Sequence, residues 1–172
     1  MGYEIAGAMG IKLAEPDADV ICFTGDGTYM MANSEMATAA MMGIPFTVVV
    51  TDNRGFGCIN RLQMGTGGAE FNNLLDHAVH ANPSAIDFAA HAGAMGAEAV
   101  KVGSIAELEE ALARRDTVTD RPYVIVIDTD PYPSTPHGGT WWEVGVPEVS
   151  ERDSVRAARA RFAEKKKGQR AL

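Results

Sequence analysis

The chain is poor in three things that would have pointed elsewhere. It has only two cysteines, Cys22 and Cys58, far apart and without further cysteines nearby. That excludes a disulfide framework and suits a reducing, cytoplasmic setting. No apolar run approaches the ~18 residues of a membrane span, and no signal-peptide pattern opens the chain. Basic charge is scarce where the bulk of the chain lies: residues 1–150 carry 7 Lys and Arg against 20 Asp and Glu. Such an acidic body has no face for nucleic acid. The reversal is confined to residues 151–172, with 8 basic and 3 acidic side chains. Only one aromatic residue, Phe162, stands among those charges, too few for a nucleic-acid groove, so the segment reads as a solvated helix that packs on its own protein or a neighbour. Nucleotide fingerprints are missing too. No Gly-x-Gly-x-x-Gly follows a strand, and no Gly-Lys-Ser/Thr occurs. There are no internal repeats and no low-complexity linker.

What is present is an alternation. At 172 residues and 46% hydrophobic, the chain has enough apolar material for a real core. Tyr3 to Ala14 reads as a helix and Val20 to Thr24 as a buried strand. Asn33 to Gly43 reads as a second helix, with Asn33 or Ser34 as cap and Gly43 as stop. Phe46 to Thr51 is a β-branched strand. Asp52 to His80, with its many Gly and Asn residues, is expected to be a long active-site loop. Ser84 to Ala92 is expected to be helical and Ala97 to Val102 a short strand. Ser104-Ile105-Ala106-Glu107 is a capping box opening a helix to about Arg115. Tyr123 to Asp128 closes the series as an apolar strand. This order predicts an α/β fold: a three-layer parallel sheet with helices on both faces. Residues 1–150 form the main domain and 151–172 a basic helical tail.

Two strand ends carry the chemistry. Gly25-Asp26-Gly27-Thr28 follows the first strand and Asp52-Asn53-Arg54-Gly55 the next. In an open parallel sheet both lie at the carboxyl edge, where ligands bind. Gly25 and Gly27 let backbone approach a phosphate closely. A carboxylate in the same turn repels a diphosphate unless a cation bridges them. Asp26 with the amide oxygen of Asn53 suits a hard cation such as Mg2+, which takes few protein ligands and completes its shell with phosphate oxygens and water. A Gly-Asp-Gly turn alone is a common helix start; the Asp-Asn at the next strand end is what adds a second ligand.

The spacing of 27 residues from Asp26 to Asn53 resembles the cofactor motif of the thiamine-diphosphate-dependent enzymes. That motif usually ends in Asn-Asn, where this chain has Asp52-Asn53. The opening Met1 to Gly10 is similar to the Gly-rich helix before the motif. The stretches Gly55 to Met64 and Thr66 to Leu75, with Trp141-Trp142-Glu143-Val144, resemble one branch of the family. Its members open the ring of a trihydroxycyclohexane-1,2-dione in myo-inositol breakdown.

The resemblance implies a diphosphate-domain fold, with thiamine diphosphate and Mg2+ as cofactors and a polyol dione as small-molecule substrate. Asp26, Asn53 and the carbonyl of Gly55 are the implied metal ligands. The N–H groups of Gly27 and Thr28, beside Gly25, are the implied diphosphate contacts. It implies release of 5-deoxyglucuronate. The activating Glu comes from a separate domain, usually of a neighbouring subunit. Glu4 and Glu35 lie in the wrong segments, so no catalytic residue is assigned here. The chain is therefore expected to be a C-terminal portion that lacks its first strand and the N-terminal pyrimidine and central domains, inactive alone and working as a homodimer or homotetramer. No membrane or nucleic acid partner is expected. The alternatives are another enzyme with the same motif, an acetolactate synthase-like transferase or a 2-oxo acid decarboxylase, and a non-catalytic thiamine-diphosphate-binding or assembly domain.

Other residues read more plainly. His77 and His80 stand as solvated or capping histidines rather than a metal pair, and His137 as a surface residue. Met30, Met31, Met36, Met41 and Met42 are expected to pack helices and loops. Trp141 and Trp142 either pack the tail or cover a cleft. Arg61 and Gln63 are candidates for substrate hydroxyls or phosphate.

Overall fold

The computed structural model describes residues 1–82, 85–133 and 145–169. The chain divides into two compact units: Met1–Phe56 with His80–Asp130, and Gly57–Val79 with Pro131–Leu172.

The first unit is built on a parallel sheet. Helix α1 (Glu4–Ala14) has an acid in its first turn and Lys12 in its last, each complementing the helix dipole. Strand β1 (Ile21–Gly25) runs straight into the short helix α2 (Asp26–Met31). Helix α3 (Glu35–Met42) stops at Gly43, whose φ of 68° is the left-handed geometry glycine tolerates. The N–H of Ile44 reaches back to the Ala39 carbonyl at 2.9 Å. Pro45 follows, and then β2 (Thr47–Asp52).

The second unit takes the next helix, α4 (Gly57–Gly65), and a 3-10 turn at Leu75–His77. Both lie inside the stretch expected to be a loop, so that expectation is corrected. The glycines that suggested a loop stand at the two ends of α4. Its interior, Cys58-Ile59-Asn60-Arg61-Leu62-Gln63-Met64, contains no breaker.

Back in the first unit come α5 (Phe88–Ala94), β3 (Glu98–Val102), α6 (Ile105–Ala113) and β4 (Tyr123–Asp128). Helix α5 begins later than the expected Ser84, which lies outside the described residues. Its cap is Asp87, whose carboxylate accepts the N–H of Ala90 at 2.9 Å. The capping box opens α6 as expected: Ser104 Oγ accepts from the Glu107 N–H at 3.2 Å, and the Glu107 carboxylate accepts from the Gly103 N–H at 2.8 Å. The chain then leaves α-helical geometry, and Arg115–Thr117 is a 3-10 turn.

The strand order is β1-β2-β4-β3, parallel throughout. Strand alternation sorts the core onto two faces. Cys22, Val48, Val50, Val124 and Val126 meet residues of α1, α2, α3 and α5, among them Ile5, Tyr29, Met36 and Phe88. Val49, Tyr123, Ile125 and Ile127 meet Ala111, Leu108 and Leu112 of α6 on the other face. The central strands β2 and β4 are thus buried on both sides, which is why they read as unbroken apolar runs. Edge strand β1 is covered on one face only: Cys22 is buried while Phe23 is 63% exposed.

In the second unit, helix α7 (Asp153–Lys166) realises the basic tail. It is not wholly solvated: Val155, Ala158 and Phe162 pack with Val146. Arg159 donates to the Val146 carbonyl at 3.0 Å and pairs with Glu148 at 2.7 Å. Among the described residues, no helix is long and apolar enough to cross a membrane.

Candidate metal and diphosphate site

The register places Gly25 opposite Thr51, so the two motif segments leave adjacent strand ends at the carboxyl edge. Asp26 is the first residue of α2, and Gly25 caps it in extended geometry. Its carboxylate is 5% exposed, and both of its oxygens are engaged by the second segment. The N–H of Asn53 donates to Oδ1 at 3.1 Å. The N–H of Gly55 donates to Oδ2 at 2.7 Å. The carboxylate's lone pairs outnumber the N–H donors that reach it, so it keeps capacity for a further partner.

The turn after β2 is bent to make those bonds. The Asp52 carboxylate accepts the N–H of Arg54 at 2.9 Å, a side-chain turn of the Asx type. Arg54 adopts φ 59° and Gly55 φ 147°. A non-glycine residue in the left-handed region stores strain, and such strain gathers at functional turns. Two positive φ values in succession aim the Gly55 N–H at Asp26. They also bring its carbonyl over α2: a Cβ added to Gly27 would lie 2.9 Å from Gly55 O and 2.6 Å from the Phe56 ring. Gly27 is therefore required by close approach. Over Gly25 a Cβ would meet nothing within 4 Å, so that side of the turn is open to a ligand.

Burial raises the Asp26 carboxyl above the ordinary carboxylate range. The Asn53 and Gly55 N–H groups pull it back down, and the neighbouring Asp52 charge pushes it up again. Two carboxylates beside one buried turn form an environment that a divalent cation would relieve. The donor set fits one of the hard kind: a carboxylate, a side-chain amide and a backbone carbonyl, all oxygens. The first-turn N–H groups of Gly27 and Thr28 have no i−4 partner within α2 and suit an anion. Among the described residues, no three His, Cys, Asp or Glu side chains converge on one point, so a nitrogen- or sulfur-rich centre has no counterpart there.

The other singled-out residues are engaged elsewhere. Within the second unit, Arg61 donates to the Pro131 carbonyl at 3.1 Å. Gln63 donates to the Ala69 carbonyl and accepts from Asn73 at 2.8 Å. His77 meets the Tyr132 hydroxyl at 3.0 Å and lies 3.7 Å from Glu70. Met36 is fully buried, whereas Met30, Met31, Met41 and Met42 are exposed, a correction to their expected packing role. His137, Trp141 and Trp142 lie outside the described residues. Cys22 is buried and Cys58 exposed, both as free thiols. Phe56 over Gly27 was not foreseen; an aromatic directly after an Arg-Gly turn is the only local hint.

Residues 1–127 match the family model described as "Thiamine pyrophosphate enzyme, C-terminal TPP binding domain". A SPOR domain model matches residues 96–172; the two overlap across 96–127, where β3 and β4 belong to the parallel sheet and α6 packs on it. Among curated proteins, a 3D-(3,5/4)-trihydroxycyclohexane-1,2-dione hydrolase 2 of Bacillus cereus is 44% identical over 168 residues, covering 92% of this chain and 25% of that protein. The 3D-(3,5/4)-trihydroxycyclohexane-1,2-dione hydrolase of Bacillus anthracis is 44% identical over 172 residues, with the same shares. The chain thus spans a quarter of the length of these relatives. A solved structure, the thiamine diphosphate-dependent 4-hydroxybenzoylformate decarboxylase of Rhodococcus jostii, superposes with a TM-score of 0.65 at 24% identity. It covers 76% of this chain and 23% of that one, and shows the same fold.

Proposed function

This chain belongs to the thiamine pyrophosphate enzymes, as a C-terminal TPP-binding domain, and on that basis we propose that it is the Mg2+- and diphosphate-holding part of a C–C hydrolase that opens trihydroxycyclohexane-1,2-dione. The observation that carries the reading is the Asp26 carboxylate, buried at the carboxyl edge between the N–H groups of Asn53 and Gly55. Asp26, the Asn53 side chain and the Gly55 carbonyl would hold Mg2+. The Gly27 and Thr28 N–H groups would hold the diphosphate, with Gly25 leaving space for it. When bound, thiamine diphosphate supplies a nucleophilic carbon and an electron sink for cleaving a bond beside a carbonyl. The task of this chain is orientation: the metal ligands fix the diphosphate, and the diphosphate fixes where the reactive ring lies.

The identity to relatives named as ring-opening hydrolases supports the dione as substrate. No Glu of this chain is assigned to activate the cofactor. That group is proposed to come from an N-terminal domain, in a homodimer or homotetramer, so the chain alone binds weakly and is inactive. In this reading residues 1–150 hold the cofactor and 151–172 are an appended basic helix, in a cytoplasmic enzyme.

The test is calorimetric titration of thiamine diphosphate into the chain, with Mg2+ or with EDTA, beside Asp26→Ala. Binding that needs Mg2+ and vanishes in the variant is expected. A chain that stays silent even when joined to the upstream three quarters of a relative would overturn the cofactor assignment. A joined enzyme that turns over pyruvate but not the dione would overturn the substrate.

A further inference from the structure

The helix that bears the diphosphate turn is short. Helix α2 has six residues and no side-chain cap hydrogen bond. A helix of that length has no stability of its own, so its rotation must be set by what it is tied to. At its front the tie is Asp26, held by the Asn53 and Gly55 N–H groups. One turn later comes Tyr29, on the same helix face as Asp26. Tyr29 is fully buried. Its ring stands edge-on to Phe88 at 5.5 Å and to His91 at 5.6 Å, both on α5. Its hydroxyl lies 3.0 Å from His91 Nδ1.

A buried phenol without a partner is costly, and His91 is the partner this one has. Helix α5 packs on β3 and β4, at the far side of the sheet order from β1. The hydrogen bond therefore ties α2 to a helix that packs on the strands at the other end of the sheet from β1. With Asp26 and Tyr29 both tied, the Gly27 and Thr28 N–H groups between them have one direction. We infer that Tyr29 and His91 are positioning residues, whose hydrogen bond sets the rotation of α2 and so the aim of the diphosphate-binding amides. This rests on the cofactor reading above. The bond tolerates either direction, hydroxyl to ring nitrogen or ring N–H to hydroxyl, so a neutral amide acceptor and donor is able to replace the imidazole.

The experiment compares Tyr29→Phe, His91→Leu and His91→Gln with the parent chain. Mg2+ with thiamine diphosphate is one probe and Mn2+ with inorganic pyrophosphate a second, both read by calorimetry under conditions where every variant is folded. Tyr29→Phe and His91→Leu are each expected to weaken binding about 10-fold, the effect of one buried hydrogen bond. The double variant should be no weaker than either single one, because both remove the same bond. His91→Gln should restore affinity to within about 3-fold of the parent. Amide signals of Gly27 and Thr28, recorded without ligand, should differ between His91→Leu and His91→Gln, two variants that both lack the imidazole ring. Lower melting temperature with unchanged affinity and unchanged amide signals would make the pair structural only and overturn the inference. A parent chain that binds neither probe, alone or joined to the upstream three quarters of a relative, would overturn the cofactor reading instead, while the ligand-free amide signals still decide whether the bond orients the turn.

Discussion

The N–H of Gly55 donates to the Asp26 carboxylate at 2.7 Å across 29 positions of sequence. That bond joins the two halves of the site before any ligand arrives. It also makes Asp26 a structural acceptor as well as a proposed metal ligand, and the two roles separate by substitution. Asp26→Ala leaves the Asn53 and Gly55 N–H groups without their acceptor, at a cost of about 2 kcal/mol, and removes Mg2+-dependent cofactor binding. Urea titration reads the first effect and calorimetry the second.

The same carboxylate predicts a pH dependence of unusual sign. Burial raises its pKa in the folded state. Its contribution to stability is therefore fully present below the unfolded value, about 3.9, and is lost as pH rises through the higher folded value. Burial thus opposes ionisation of this carboxyl in the metal-free fold. Addition of Mg2+ should raise the melting temperature of the parent chain at pH 7 and leave that of Asp26→Ala unchanged. An equal rise in both would show that the cation binds elsewhere.

Gly27 and Gly55 should resist substitution for different reasons. A Cβ on Gly27 would lie 2.6 Å from the Phe56 ring and 2.9 Å from the Gly55 carbonyl, so Gly27→Ala pushes the second segment away from the first. Pairing it with Phe56→Ala relieves the ring but not the carbonyl. That double variant should recover stability without recovering cofactor affinity. Gly55→Ala must hold φ 147°, a conformation side chains avoid; it should lower both stability and affinity. Thermal melts and calorimetry on the three variants check the contrast.

Much of this was legible beforehand, for identifiable reasons. The strands Phe46 to Thr51 and Tyr123 to Asp128 were found to within a residue or so because parallel strands buried on both faces are continuous β-branched runs; Val20 to Thr24 was found too, although as an edge strand it is buried on one face only. Asp26 and Asn53 could be paired because parallel strands end at one edge. Helix α4 was hidden because its flanking glycines resemble loop composition. The left-handed Arg54 was hidden too, since it depends on the Asp52 side chain capturing its N–H. Tyr29 and His91 lie 62 positions apart, and nothing local to either announces the other. Their contact is a product of helix packing on the finished sheet.

Alkaline pH should expose the core ionisable groups in order. Burial, with a smaller push from Glu4, raises the Cys22 thiol to about 11, and burial raises the Tyr29 phenol to about 12. Both are neutral in the fold and ionise earlier when unfolded, at about 8.5 and 10. Their contributions are complete below those values and are lost as pH rises, first for Cys22 and then for Tyr29. The part of the stability that these two groups supply should be level up to about pH 8.5 and fall by on the order of 2 kcal/mol per group above it. Cys22→Ala should delay the onset, in urea titrations run at successive pH values. An onset unmoved by Cys22→Ala would assign the decline to other groups.

A loss of cofactor binding means little unless plain destabilisation is calibrated, and the capping box supplies the ruler. Ser104 and Glu107 close the start of α6. That helix packs against Val102, Tyr123, Ile125 and Ile127, while α2, α3 and α5 pack on the opposite face. Ser104→Ala leaves the Glu107 N–H without its acceptor and should cost about 1 kcal/mol. It touches neither Asp26 nor the turn at Gly55. Its cofactor affinity should therefore match the parent's while its urea midpoint falls. Should affinity fall in step with stability in Ser104→Ala, the losses expected at Asp26, Gly27 and Tyr29 would reflect global unfolding and not the site.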